Sequence, residues 1–356
     1  MGAVTFARLL ERFGSAERAL AALPDLKKRA SWNLGKTATA PEVTAELATL
    51  AKLGAVLLTR ADPAYPERLR HIPDPPPVLT VRGDADLLRA PAVAIIGARN
   101  ASANGCLLAR RIAADLARAG IVVVSGLARG IDTAAHEGAL QAGGTTVAAV
   151  AGGVDTVYPP ENEDLMARIV QAGAVVSERP PGAVARAKDF PRRNRIIAGL
   201  SLGVVVVEAA PQSGSLITAR LAAEQGREVM AVPGSPLDPR HRGTNQLLRE
   251  GALLVETAAD VLAALEPMLD REECMMAPAD APEPVRPPAP PPAPAVAPDA
   301  LLAAIEANLG KEPLGVDELV RRCDARLAEV QAVLLELELE GRLERHPGNR
   351  VTLRAG

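Results

Sequence analysis

Between Arg186 and Arg195 the chain reads Arg-Ala-Lys-Asp-Phe-Pro-Arg-Arg-Asn-Arg, five cations, one acid and one aromatic ring. Lys188, Arg192, Arg193 and Arg195 can neutralise a polyanion. Asn194 can donate hydrogen bonds to it, and Phe190 offers a face on which a base can stack. Charges for a backbone and a ring for a base are what a single-stranded nucleic acid requires. A solvated basic loop is the plainer reading of the same run. Ile196-Ile197 then begin a helix, which places the cluster toward its anion-favouring end.

Other segments carry weaker signals of the same kind. In Ile96-Gly97-Ala98-Arg99-Asn100, Gly97 permits a tight turn and Arg99 adds a charge before a helix whose free N–H groups suit an anion. Any strand-to-helix turn favours glycine, so this loop alone decides little. Ser125-Gly126-Leu127-Ala128-Arg129-Gly130-Ile131-Asp132 supplies two more glycines and Arg129 at a second helix start. Asp132 reads as the cap of that helix rather than a catalytic acid. His136, four residues on, reads as its helix-surface partner rather than a general base. Tyr158, before Pro159-Pro160, can stack on a base, but a packed loop residue is the commoner outcome. Ser213, Gly214 and Ser215 can hold a phosphate, or Ser215 can simply cap a helix.

These residues bind; they do not compose a reaction centre. No nucleophile stands beside a plausible base, so no catalytic residue is assigned. The dinucleotide fingerprint GxGxxG and the phosphate loop GxxxxGK[ST] are both missing, and no cofactor is expected. Three scattered cysteines and four scattered histidines make neither a disulfide framework nor a metal site.

The elements that must position these loops alternate strand and helix across 84–267. Ala92–Ile96, Ile121–Ser125, Thr146–Val150, Ala174–Ser177, Gly203–Val207 and Glu228–Ala231 are short, apolar and β-branched. Helices are expected at Ser102–Ala119 and Asp132–Ala142. This is the pattern of an α/β, doubly wound parallel sheet covered on both faces. Such sheets bind ligands outside the carboxyl ends of their strands, where every segment named above falls.

Length and composition bound the rest. The chain has 356 residues, 48% hydrophobic but only 2% aromatic, with a formal net charge of −3. That excludes a uniformly basic coat, though not a local basic patch. No apolar run reaches membrane-spanning length, and the N-terminus lacks a signal-peptide pattern; a reduced cytoplasmic compartment is the expected setting. Residues 1–58 read as helical, with Thr5–Phe13, Ser15–Leu23 and Pro41–Leu53 as helices. Residues 59–83 form a proline-rich connector lying against the next domain. Ten prolines between Pro278 and Pro298 make 268–298 an extended linker, with a PxxP ligand as the minor alternative. Residues 299–356 carry three helices, ending at Asn308, Arg322 and Glu340. Two strands then flank Pro347-Gly348-Asn349, which is a winged-helix pattern. Its third helix places Leu327, Val330, Val333, Leu334 and Leu337 on one face, and its acidity favours a protein-contacting or structural role over duplex readout.

Several strings together resemble the DNA-processing protein A (DprA, also called Smf) family: Ile95-Ile-Gly-Ala-Arg-Asn, Ser125-Gly-Leu-Ala-Arg-Gly-Ile-Asp-Thr-Ala-Ala-His, Tyr158-Pro-Pro-Glu-Asn, Phe190-Pro-Arg-Arg-Asn-Arg-Ile-Ile-Ala-Gly-Leu-Ser and Ser213-Gly-Ser-Leu-Ile-Thr-Ala. The resemblance covers about 60–267 and extends to the winged helix. It implies an extended Rossmann-like domain in a homodimer that catalyses no reaction. Such a protein binds single-stranded DNA in natural transformation, protects incoming strands and loads RecA recombinase. It further implies DNA contacts at Arg99, Lys188, Phe190, Arg193 and Arg195, support from the Gly126 and Ser213–Ser215 loops, and a dimer surface at Asn245–Leu254. Two departures stand out. The family's glycine-serine-arginine start is Gly97-Ala98-Arg99 here, which removes a hydroxyl. The N-terminal SAM/HhH-like domain reads as truncated, with Gly2–Phe6 resembling its hairpin. A Rossmann-like nucleotide hydrolase of the phosphoribohydrolase kind is the alternative, but its PGGxGTxxE signature is unmatched.

Overall fold

The computed structural model describes residues 3–29, 37–276, 298–310, 313–323, 325, 327–339, 342–346 and 350–353. The proline-rich stretch 277–297 and the turn Pro347-Gly348-Asn349 lie outside the described residues. The chain divides into two compact units, Met1–Ala277 and Pro278–Gly356.

The first unit is built on a nine-stranded sheet. Its strands are β1 (Ala55–Thr59), β2 (Val78–Gly83), β3 (Ala92–Ile96), β4 (Val122–Ser125), β5 (Thr146–Ala149), β6 (Ala174–Ser177), β7 (Gly203–Val206), β8 (Glu228–Ala231) and β9 (Leu253–Leu254). They lie in the order β1-β2-β6-β5-β4-β3-β7-β8-β9. Strands β3 to β9 are mutually parallel, while β1–β2 and β2–β6 pair antiparallel. The winding runs outward from β3 through β4, β5 and β6. It then restarts at β7 on the other side of β3, making β3/β7 the topological switch point.

Alternation along the strands explains the two-faced cover. In β3, Val93 and Ile95 point into one core with Ile112, Leu116 and Ile131. Ala92, Ala94 and Ile96 point into the other with Ile196, Ile197 and Leu200. Because both faces are buried, the strands read as continuous apolar runs. Helices Ala103–Arg118 and Ile131–Gln141 cover the first face, and helices Asp189–Leu200 and Gly214–Glu224 the second. The scarcity of aromatics shows in the packing. Ala109, Ala113, Ala134, Ala135 and Ala139 fill the first core. The helices there approach so closely that a Cβ on Gly138 would fall 2.2 Å from the Arg110 carbonyl oxygen.

Three differences from the sequence reading have physical causes. The segment 59–83 is not only a connector: β2 lies within it and β1 directly before it. Its buried Tyr65, Leu69, Ile72 and Leu79 belong to the main core, and the Tyr65 hydroxyl donates to the Pro76 carbonyl at 2.8 Å. Ala3–Phe6 form the first turn of the helix Ala3–Phe13 rather than a hairpin. The basic cluster is not a loop before a helix, because Asp189–Leu200 is helical throughout.

The second unit has helices Pro298–Asn308, Val316–Cys323 and Leu327–Leu339 and a small antiparallel sheet of Leu314–Gly315, Arg350–Leu353 and Leu343–His346. Val330, Val333, Leu334 and Leu337 are buried against Leu301, Ile305 and Leu319. Leu327, assigned to that face from its spacing, is half exposed at the helix start.

Candidate nucleic-acid interface

A groove of about 1380 Å³ opens over the carboxyl ends of β3 and β7. Gly97, Ala98, Arg99 and Asn100 form one wall, with Ser213, Gly214 and Ser215 facing them. The Ser215 hydroxyl donates to the Gly97 carbonyl at 3.1 Å and shares a 2.7 Å hydrogen bond with Ser213. Ser213, not Ser215, caps the helix Gly214–Glu224, accepting from the Ser215 N–H. Gly97 is required by close packing, since a Cβ there would fall 2.6 Å from the Ile131 side chain.

The helix start after the Gly97 loop is not available to a ligand. Ser102 caps the helix Ala103–Arg118 by accepting from the Gly105 N–H at 2.9 Å. The fully buried Glu208 carboxylate sits on that end, accepting from the Ser102 N–H at 2.9 Å and from its hydroxyl. A helix N-terminus favours an anion, and here the protein supplies its own.

The basic cluster is split by the helix that carries it. Lys188 is exposed at the helix start. Phe190 is half-buried in the groove, with the Arg99 guanidinium carbon 5.0 Å from its ring centroid. The Tyr158 ring lies 5.4 Å from Phe190, tilted by 59°. Asn194 lines the groove and donates to the Gly214 carbonyl at 3.3 Å.

Arg193 and Arg195 face inward and correct the picture of a surface patch. Arg193 is 5% exposed at the groove floor and donates to the Ala149 carbonyl at the end of β5. Burial pulls its pKa down to about 10, with Asp132 opposing the fall. A Cβ on Gly126 would lie 2.1 Å from the Arg193 Nη1 atom, so Gly126 serves this packing and does not line the groove. Arg195 is buried in ion pairs with Glu178 and with Asp74, the latter at 2.9 Å. Arg192 reaches the same Glu178 at 2.7 Å. Arg129 pairs with Glu161, outside the groove.

Asp132 and His136 are likewise buried, Asp132 beside Arg193 at the groove floor and His136 in the core. The Asp132 carboxylate accepts from the N–H groups of Gly126 and Ala128 at 3.1 and 3.3 Å. Burial raises its pKa, against the Arg193 charge. His136 contacts Thr146 at 2.7 Å rather than Asp132. Thr146 donates its own hydroxyl proton to the Val123 carbonyl, so His136 donates through Nδ1–H. Burial holds its pKa down at about 3.

Residues 56–266 match the family described as DNA recombination-mediator protein A. The chain belongs to the DNA-processing protein A family. Residues 1–49 match the DprA-like N-terminal HHH domain and 287–349 the DprA winged helix domain. The Escherichia coli Smf protein is 41% identical over 293 residues, covering 82% of this chain and 75% of the relative. The Streptococcus pneumoniae DNA processing protein DprA is 47% identical over 205 residues, covering 58% and 72%. Its X-ray structure superposes with a TM-score of 0.58 at 45% identity, covering 61% of this chain and 77% of that one. The structure of DNA processing protein A from Helicobacter pylori, described for its single-stranded DNA binding mode, gives 0.55 at 30% identity, covering 60% and 96%.

The DprA family's sequence motifs stop short of one wall. Ser235, Leu237, Asp238 and Arg240 also line the groove, and none of them is among the site residues the sequence pointed to. Asn245 holds the base of this wall, donating to the Gly234 carbonyl at 2.8 Å and accepting from its N–H at 3.2 Å. Asp238 caps the turn and grips Arg240, which draws its pKa down to about 2. The signal was available: this segment follows the carboxyl end of β8, where parallel sheets bind ligands.

Proposed function

We propose that this chain binds single-stranded DNA along the groove at the β3/β7 switch point. The observation that carries the reading is the Arg99–Phe190 pair, a cation and a ring held together in an open channel, with Lys188 exposed two residues before Phe190 and outside the lining itself. Arg99 and Lys188 neutralise phosphates, while the rings take bases that a duplex would keep stacked and paired. With Glu208 seated on the neighbouring helix end, the backbone runs past Arg99 rather than into that N-terminus.

The family, described as a DNA recombination mediator, and the H. pylori relative, described for its single-stranded DNA binding mode, support single-strand binding in recombination, and the setting proposed for it is natural transformation. Bound strands are protected in the cytoplasm and passed to RecA recombinase, with no bond made or broken by the chain. Two copies associate through the free edge of the sheet, where Leu253 and Leu254 are exposed on β9. An unpaired edge strand is a natural surface for a second chain. Asn245, at the start of the dimer surface that the family resemblance implies, bonds within the chain to Gly234.

The test is fluorescence anisotropy of a labelled oligo-dT against a duplex of equal length. Tight, salt-sensitive preference for the single strand supports the reading. Equal affinity for both forms contradicts it. RecA transfer is tested by whether the chain shortens the lag of RecA filament growth on strands already coated with single-strand-binding protein.

A further inference from the structure

We infer that Tyr158, braced by Phe190, presents the main base-stacking face of the groove; this rests on the single-stranded DNA reading above. Phe190 is the ring the basic motif draws attention to, but one of its faces is covered. The Arg99 guanidinium stands over it at 5.0 Å, and the Tyr158 ring leans on it at 5.4 Å and 59°. Edge-inclined rings at that spacing stabilise one another and leave no slot for a base between them. Tyr158 is 52% exposed and lines the groove. An aromatic ring left half in water beside a cation is a stacking surface of the kind single strands use.

The position of Tyr158 is fixed by its neighbours. Downstream, the Asn162 side chain donates to the Leu127 carbonyl and to the Thr133 hydroxyl, both at 2.9 Å. Upstream, the Asp155 carboxylate accepts from the Gly182 N–H at 2.8 and 3.0 Å, and the Gly153 N–H donates to the Ala183 carbonyl at 2.8 Å. The upstream bonds tie the Tyr158 loop to the segment leading into Phe190, and the downstream ones tie it to the turn after β4 and the helix Ile131–Gln141. The two rings are thus spaced before any strand arrives, which lowers the ordering cost of binding.

The experiment is a titration of the full chain with oligo-dT carrying 2-aminopurine at successive positions, read by anisotropy and by base fluorescence. Tyr158→Ala is expected to weaken binding about tenfold, the loss of one stacked base. The 2-aminopurine quenching is lost with it, and the slope of affinity against salt is unchanged. Tyr158→Phe keeps both affinity and quenching. Tyr158→Leu, which preserves apolar bulk, behaves like Tyr158→Ala. If wild type binds and Tyr158→Ala or Tyr158→Leu matches it, the inference is overturned while the single-strand reading stands. If wild type itself shows no binding, the reading falls and takes the inference with it.

Discussion

The Arg193 guanidinium lies against the α-carbon of Gly126, leaving no room for even a methyl group: a Cβ there would fall 2.1 Å from Nη1 and 2.6 Å from Cζ. This contact joins the end of β4 to the helix that carries Phe190 and Lys188. Within one basic motif, the buried Arg193 and Arg195 therefore do different work from the exposed Lys188. Gly126→Ala is expected to destabilise the chain by about 1–3 kcal/mol, the usual cost of overpacking. A thermal scan reads this as a lowered Tm of the first unit; an unchanged Tm contradicts the packing.

Arg195 and Arg99 separate stability from binding. Arg195→Met leaves the half-buried Glu178 with Arg192 as its remaining cation and is expected to cost about 1.5–3 kcal/mol, the value of hydrogen bonds to charged groups. Because Arg195 does not line the groove, the salt slope of oligo-dT binding stays at the wild-type value wherever the variant is folded. Urea unfolding and binding titrations on the same preparation check both halves.

Arg99→Ala and Lys188→Ala are expected to do the reverse. Each leaves folding stability within about 0.5 kcal/mol of wild type, as exposed sites do. Each reduces the slope of log affinity against log salt by about 0.7, the value of one phosphate contact on a single strand. A series from low to high salt measures this, and an unaltered slope in both variants removes them from the strand's path.

His136 gives a pH prediction. Its folded pKa lies near 3, below the ordinary 6.5. The unfolded chain takes up this proton as pH falls below about 6.5 and the folded chain does not. Stability from this group is therefore full above 6.5 and is lost as pH falls toward 3, by at most about 1.4 kcal/mol per pH unit. Asp132 acts in the opposite sense, because its raised pKa disfavours the fold as pH rises above the ordinary carboxylate value. His136→Asn keeps a donor for Thr146 and removes the titration. Its urea midpoint is expected to fall less steeply than wild type between pH 6.5 and 4. Parallel curves contradict the assignment.

The strands β3 to β7 were legible because each is a short, largely apolar and β-branched run buried on both faces, and β8, with its half-buried start at Glu228, followed from the repeat of strand and helix. The loops at their ends followed from the geometry of parallel sheets, and Gly97, Arg99, Phe190 and Ser213–Ser215 do meet in one groove. Charge type alone does not reveal a partner, so Arg192, Arg193 and Arg195 read as a patch. Their partners, Glu178, Asp74 and the Ala149 carbonyl, lie on other elements. Strands β1 and β2 were hidden by the prolines around them and by the mixed burial of β1 at the sheet edge. Glu208 gave no signal as a helix plug, since its partner Ser102 is brought to it only by the pairing of β3 with β7.

The central claim, that a single strand lies in the groove at the β3/β7 switch point, is tested most directly by photo-crosslinking. The full chain is irradiated with oligo-dT carrying 5-bromodeoxyuridine, and the modified peptides are mapped by mass spectrometry. The account predicts crosslinks at Tyr158 and Phe190, suppressed by unlabelled single strand and not by duplex. Crosslinks confined to residues 298–353, with none in the groove, contradict it.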